Sequence, residues 1–480
     1  MAETIPPGRP GNLTAEQEQK LKELWKITFK LFGVQKPHGQ DEAQLDGATN
    51  GESESTSTAP SDTASAEPPA TPDKRKKSRL SFLRRGNKES ESPAAPTSPS
   101  GLESIAESLD GANEKYGQTK QFRETIASQS PEALRATFWS MTKHDHPDGI
   151  LLRYLRARKW DVNAALVMLV SAMHWRDQEI HVDDDIMYRG EEGCLLDSQG
   201  KAEGATNSSK ERDGKDFLAQ YRMGKSFLHG LDKEGRPMCV VRVRIHHGGD
   251  QTVSSLERYT VHTIETARLL LRGNVDTATI IFDMTDFSLA NMDYTPVKFM
   301  IKCFEANYPE SLGAVLVHKS PWIFQGIWKI IRGWLDPVVA AKVHFTGNLT
   351  ELTEFIDKSK AMKELGGDED WEYHYIEPRE GENDQMKDTT KKAELLKVRE
   401  ELVKNYENST LAWIDGAKDE FEKRNDVAGQ LAENYWQLDP YIRARTLYDR
   451  MGLIGPQGKL DFYPSKDTAT GEEPKDSGVD

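Results

Sequence analysis

Two groups of residues invite a chemical reading. His246-His247 follows an alternating apolar run, where an imidazole pair could begin a metal site, but no further ligand set presents itself and a surface loop is the simpler reading. The second group lies in residues 320–335, SPWIFQGIWKIIRGWL. Ser320-Pro321 reads as a helix start. Beyond it, Trp322, Ile323, Phe324, Ile327, Trp328, Ile330, Ile331, Trp334 and Leu335 are apolar on nearly every face, whereas a surface helix carries one stripe. The segment is too short to span a bilayer, and tryptophan favours the boundary between water and acyl chains. Gly326 and Gly333 weaken the helix and could serve as hinges. Composition alone suits a central core helix; the alternative is a lid over something greasy. The sequence contains no G-x-S-x-G, P-loop, G-x-G-x-x-G or H-E-x-x-H, and nothing in it argues for an enzyme.

The elements that must position this segment alternate. Asp232-Lys233-Glu234-Gly235 is a turn leading into a strand at 238–245. A helix is expected at 258–271, a buried strand at 277–282, and a helix from Thr295-Pro296 that ends before Pro309. Strands follow at 312–318 and 343–346. Strand and helix in alternation imply an α/β domain with a mostly parallel sheet. Upstream, residues 121–180 read as helical. Ser130-Pro131 opens one helix, and Asp161 caps another whose Val162, Ala165, Leu166, Leu169, Val170 and Met173 share a face. Between them sits LLRYLRARKWDV, residues 151–162. Residues 14–32 form one amphipathic helix, with a Thr14/Gln17 capping box and Leu21, Leu24, Trp25, Phe29 and Phe32 on one face. Residues 389–452 are helical again.

The chain has 480 residues, enough for about two to three domains. Hydrophobic residues are only 36% and charged residues 29%, so part of the chain should not fold. That part is 36–120, rich in Ser, Thr, Pro, Ala and Glu. Inside it, KRKKSRLSFLRR (74–85) is either a solvated basic run or phosphorylation target, or a tether to anionic membranes. The net charge of −15 argues against nucleic acid as a partner. Cys194, Cys239 and Cys303 are odd in number and far apart, which suits a reducing compartment and no metal. No signal peptide and no membrane span are expected.

LLRYLRARKWDV resembles the signature of the helical N-terminal part of CRAL-TRIO proteins. YPESLGAVLVHKSPWIF (308–324), then WLDPVVAAKVHF (334–345), resembles that family's strand, gate helix and D-P-x-x-x-x-K stretch, and Leu365-Gly366-Gly367 its closing L-G-G. The early helix and the helical C-terminal part resemble a fungal subgroup of yeast-type phosphatidylinositol transfer proteins. The resemblance implies a sheet flooring a lipid pocket, closed by a gate helix comprising Trp322, Ile323, Phe324, Ile327, Trp328, Ile331, Trp334 and Leu335. It assigns the phosphatidylinositol headgroup to Arg158, Lys159, Glu310 and Lys342. Cations supply donors to a phosphodiester, and a carboxylate accepts from inositol hydroxyls. The same four could instead be a structural ion pair and a solvated helix face. Where phosphatidylcholine carriers use small polar residues, this chain has Ala278 and Ile280, which puts choline lipids in doubt.

The implied function is binding and intermembrane transfer of phosphatidylinositol, without catalysis or any cofactor besides the bound phospholipid. The protein would be cytoplasmic and peripherally associated with endomembranes. A lipid-sensing scaffold presenting phosphatidylinositol to a lipid kinase or other partner is an alternative, as is a carrier of another hydrophobic ligand such as a sterol precursor or haem. The expected organisation is an N-terminal amphipathic helix (1–35), a disordered linker (36–120), a helical CRAL-TRIO N-terminal unit (121–185), the CRAL-TRIO lipid-binding domain (215–378), a helical C-terminal extension (385–455) and a disordered tail (456–480).

Overall fold

The computed structural model describes residues 5–35, 114–201 and 208–464. The expected linker up to residue 113, with its basic run at 74–85, lies outside the described residues, as does the tail from 465.

Helix α1 spans Ala15–Leu31. The Thr14 hydroxyl accepts from the Gln17 N–H at 3.2 Å, and the Gln17 side chain accepts from the Thr14 N–H at 3.1 Å, closing the capping box read from the sequence. Then come α2 (Gln118–Ser128), α3 (Pro131–Thr142), α4 (Pro147–Ala157) and α5 (Val162–His174). Ser130 and Asp161 cap α3 and α5 with their side-chain oxygens. Residues 114–120, placed in the linker on composition, are helical here, with Gln118 and Thr119 buried. Two wide turns, Trp175–Glu179 and Val182–Met187, lead to α6 (Tyr188–Ser198) and α7 (Ser208–Arg222).

Strands β1 (Ser226–Leu231), β2 (Pro237–Arg242), β3 (Ala278–Asp283), β4 (Leu312–His318) and β5 (Val343–Thr346) form one sheet in sequence order. Only β1 runs antiparallel; β2 to β5 are parallel. Helix α8 (Val253–Arg268) makes the β2–β3 crossover, and α9 (Tyr294–Lys302) lies between β3 and β4. Helix α10 (Phe324–Arg332) lies between β4 and β5.

Side chains alternate across the sheet, as a pleat requires. Phe227, Met238, Val240, Ile281, Ala314 and Leu316 pack on one side against Leu352, Ile356, Met362 and Leu365. Cys239, Val241, Ile280, Phe282, Val315 and Val317 face the other side, where the cavity lies. The L-G-G stretch closes the first layer. Leu365 is buried, Gly366 has φ +95°, and a Cβ on Gly367 would stand 2.0 Å from the Ala361 carbonyl oxygen.

The C-terminal helices α11 (Thr389–Ile414) and α12 (Glu420–Ile442) are part of the main core. Val403, Tyr406, Trp413, Ala428 and Leu431 pack with α1 and α3–α5, while Tyr435, Leu447, Tyr448 and Met451 join the core beside the sheet. Residues 456–464, expected in the tail, are ordered by similar contacts. The Tyr463 hydroxyl accepts from the Leu231 N–H at 3.0 Å. Buried charges tie the N-terminal helical part to α8: Lys143 and Arg176 each reach Glu265 of α8 at 2.6 Å.

Candidate functional site

An elongated cavity lies between the sheet, α8, α9 and α10, with about 1580 Å³ of empty space, open solvent at its mouth included. Its floor is Val241, Ile280, Phe282, Val315, Val317 and Val343, and its walls include Leu256, Ile264, Met300 and Phe304. The strand positions are β-branched or aromatic, which suits both the pleat and an apolar ligand.

Helix α10 covers the cavity. Phe324, Trp328, Ile331 and Leu335 line it at helical spacing, and Ile327 is buried beside them. The expectation of an all-round apolar helix beginning at residue 321 is corrected: the helix starts at Phe324, and Gln325, Lys329 and Arg332 face solvent. Trp322 and Ile323 lie in the preceding turn, Trp322 at 86% exposure and Ile323 also exposed. A core helix would not leave such residues in water. Trp334 packs edge-on against Tyr294, with ring centroids 5.2 Å apart. Gly326 stands on the helix with open space around it, and Gly333 caps its C-terminus.

The structure brings together two of the four headgroup candidates. Lys342 Nζ is 3.8 Å from Glu310 Oε2, each side chain about a fifth exposed. Neither lines the cavity itself; Lys342 directly precedes Val343 and Glu310 lies two residues before Leu312, both of which do. Arg158 and Lys159 follow α4. Arg158 Nη2 donates to Gln118 Oε1 at 2.6 Å, while its buried Nε has no hydrogen-bond partner among the described residues. Burial holds the Arg158 guanidinium below its ordinary pKa, against the pull of Asp336 and Glu305. Lys159 is exposed at φ +52°, and Glu310 has φ +56°. Left-handed backbone at two non-glycine residues is strained and needs support from its surroundings. Among the described residues, no hydrogen bond or ion pair joins Arg158 or Lys159 to Glu310 or Lys342.

A model of the CRAL/TRIO domain matches residues 221–367, and one of the CRAL/TRIO N-terminal domain matches residues 118–171. A CRAL-TRIO domain-containing protein of Schizosaccharomyces pombe is 42% identical over 468 residues, covering 96% of this chain and 95% of its own length. The chain belongs to the CRAL/TRIO family. Its relatives include the phosphatidylinositol transfer protein CSR1 of Eremothecium gossypii, 37% identical over 472 residues, which span 95% of this chain and 100% of that protein. A phosphatidylinositol/phosphatidylcholine transfer protein of Arabidopsis thaliana, SFH12, is 27% identical over 245 residues, 47% of this chain and 40% of its own. Among the described residues no helix is long and apolar enough to cross a membrane.

Within this CRAL/TRIO chain, two arginines of the 151–162 motif have roles that spacing did not reveal. Arg153 donates to the carbonyls of Glu310 at 2.8 Å and Asp276 at 2.6 Å, and Arg156 donates to the Asp276 carboxylate at 3.0 Å. They tie α4 to Asp276 and to the backbone of Glu310. Lys225, on the cavity wall, was also missed; a single lysine ahead of a strand carries no sequence signal.

Proposed function

We propose that this protein carries one phospholipid, phosphatidylinositol foremost, and exchanges it between membranes. The acyl chains would occupy the cavity, with the headgroup at the rim between Lys342, Glu310, Arg158 and Lys159. The observation that carries the reading is the cavity cover: α10 turns Phe324, Trp328 and Ile331 inward, with Leu335 just beyond it, while Trp322 stands in water at the helix entrance. Swinging α10 away exposes the inner face, which a bilayer accepts and water does not. Opening is thereby coupled to docking with no nucleotide or metal. Each buried methylene is worth about 0.8 kcal/mol in membrane and cavity alike, so exchange is nearly neutral and the barrier lies in the lid.

The orphan Nε–H of Arg158 supports the rim assignment, because a buried guanidinium donor needs an acceptor. The relative named as a phosphatidylinositol transfer protein supports the choice of lipid. Ile280 on the cavity floor leaves no hydroxyl there for a choline headgroup. Delipidated full-length protein is incubated with vesicles of mixed composition, re-isolated, and its lipid identified by mass spectrometry. Stoichiometric phosphatidylinositol with little phosphatidylcholine is expected; phosphatidylcholine alone overturns the reading.

A further inference from the structure

The end of the cavity farthest from Glu310 and Lys342 carries a polar corner that the phosphatidylinositol reading leaves unused. Lys225 stands just ahead of β1, and its carbonyl accepts from the Arg242 N–H at 2.9 Å, at the C-terminal end of β2. The Lys342 carbonyl accepts from Val315 at 2.8 Å, beside the middle of β4. β1 and β5 are the outer strands of the sheet, so spacings of about 4.8 Å across and 3.3 Å along put the two lysines on the order of 20 Å apart.

Lys225 is only 6% exposed. Its Nζ donates to Gln251 Oε1 at 2.5 Å and to His246 Nδ1 at 3.2 Å, and one N–H remains. Because Nδ1 accepts, the proton of the neutral ring is on Nε2. That Nε2 lies 3.4 Å from Asp293 Oδ2 and is a buried nitrogen without a hydrogen-bond partner among the described residues. Lys225, His246 and Asp293 all line the cavity, beside apolar Val243 and Val297. Burial pushes the Lys225 ammonium down to about 8, against the upward pull of Asp250, Asp293 and Asp216. Asp293 caps α9 through Oδ1, which accepts from the Thr295 N–H at 2.8 Å, and its Oδ2 is the oxygen nearest His246 Nε2.

Two donors, one of them cationic, therefore meet a mostly apolar chamber, with the Asp293 carboxylate beside them. A phospholipid with its headgroup at the opposite rim would bring only methyl ends here, which gain nothing from an ammonium. A single chain ending in a carboxylate satisfies both donors and leaves its hydrocarbon along the sheet. We propose that the cavity has a second mode of occupancy, a long-chain carboxylate held by Lys225 and the Nε2–H of His246. The proposal rests on the reading that this cavity holds lipid, and is independent of the four rim residues.

The test uses delipidated full-length protein titrated by fluorescence with cis-parinaric acid and with its methyl ester. Lys225→Met is expected to weaken the acid on the order of tenfold or more, the value of one charge-assisted hydrogen bond, and the ester less than twofold. Lys225→Arg should keep the preference for the acid. If the methionine variant does not fold, Lys225→Gln, which still offers Gln251 and His246 a partner, replaces it. Equal weakening of acid and ester, or weakening of neither, overturns the proposal. Phosphatidylinositol uptake is read on the same samples. Lys225-dependent acid binding in a protein that takes up no phosphatidylinositol upholds this proposal and refutes the phosphatidylinositol reading.

Discussion

Lys342 Nζ lies 3.8 Å from Glu310 Oε2, close enough to pair and too far to hydrogen-bond. With both side chains about a fifth exposed, water screens the pair, so its net worth is about 0–1 kcal/mol rather than the ~3–5 kcal/mol of a broken buried pair. Lys342→Ala or Glu310→Gln is therefore expected to lower the melting temperature of delipidated protein by a few degrees at most, while vesicle-to-vesicle transfer of phosphatidylinositol is lost. Bound lipid stabilises by mass action, so both proteins must be lipid-free in the melt. A collapse in melting temperature with transfer retained in the folded fraction would return the pair to a structural role.

Asp148 presents the opposite situation. Its Oδ1 accepts from Trp25 Nε1 at 2.7 Å, from the Tyr406 hydroxyl at 2.9 Å and from the Arg424 guanidinium, joining α1, α4, α11 and α12. Burial alone would raise the Asp148 pKa, but Arg424, His146 and the hydrogen bonds hold it below the usual carboxylate value. Asp148→Asn strands the Arg424 charge in the core and is expected to cost about 3–5 kcal/mol in urea unfolding. A loss under about 1 kcal/mol would mean that the C-terminal helices are an appendage.

Where one residue decides a feature through its neighbours in the chain, the sequence was legible. Thr14 and Gln17 named the start of α1, Asp161 the start of α5, and the apolar runs at 277–282 and 312–318 two buried strands. Features set by distant partners were not. Tyr406 read only as a helix residue, because its partner Asp148 is some 260 positions away. Around residue 322, composition could not separate inside from outside, since Trp322 and Phe324 are equally apolar and differ only in what the fold lays beneath them. Arg158 and Lys159 are neighbours in sequence, yet the left-handed turn at Lys159 leaves one half-buried beside Gln118 and the other in solvent.

His262 should make stability depend on acid. Its ring is buried on α8, with Nδ1 2.6 Å from the Tyr221 hydroxyl, and burial pushes its pKa down from 6.5 to about 3, with Arg258 and Arg443 adding to the effect. The folded state therefore keeps the ring neutral while the unfolded chain protonates at the ordinary value. This contribution is fully present above pH 6.5 and is lost progressively as pH falls towards the folded value. Between pH 7 and pH 4.5 the loss is about 2–3 kcal/mol. Urea unfolding at both values should show it, and His262→Asn should remove about that much of the pH dependence. An unchanged dependence in the variant would assign the acid sensitivity to other buried groups.

The last prediction concerns what holds the lid shut. Glu305, with its side chain 5% exposed, accepts from the Tyr116 hydroxyl at 2.7 Å, from the Asp336 N–H at 2.6 Å and from Lys115. Lys115 also donates to the Trp334 carbonyl at 2.6 Å. Lys115 thus ties the C-terminal end of the cover to Glu305, in the turn that follows α9, while Tyr116 holds Glu305 itself. Lys115 is half exposed, so water discounts its two contacts to about 1 kcal/mol together. If this end must release for α10 to swing, Lys115→Met lowers the opening barrier by that amount. Exchange of pyrene-labelled phosphatidylinositol, followed by stopped flow, is then expected to run about fivefold faster, with equilibrium loading unchanged. If the end is instead the fixed pivot, the variant exchanges lipid at the wild-type rate, and the moving end is the one that carries Trp322.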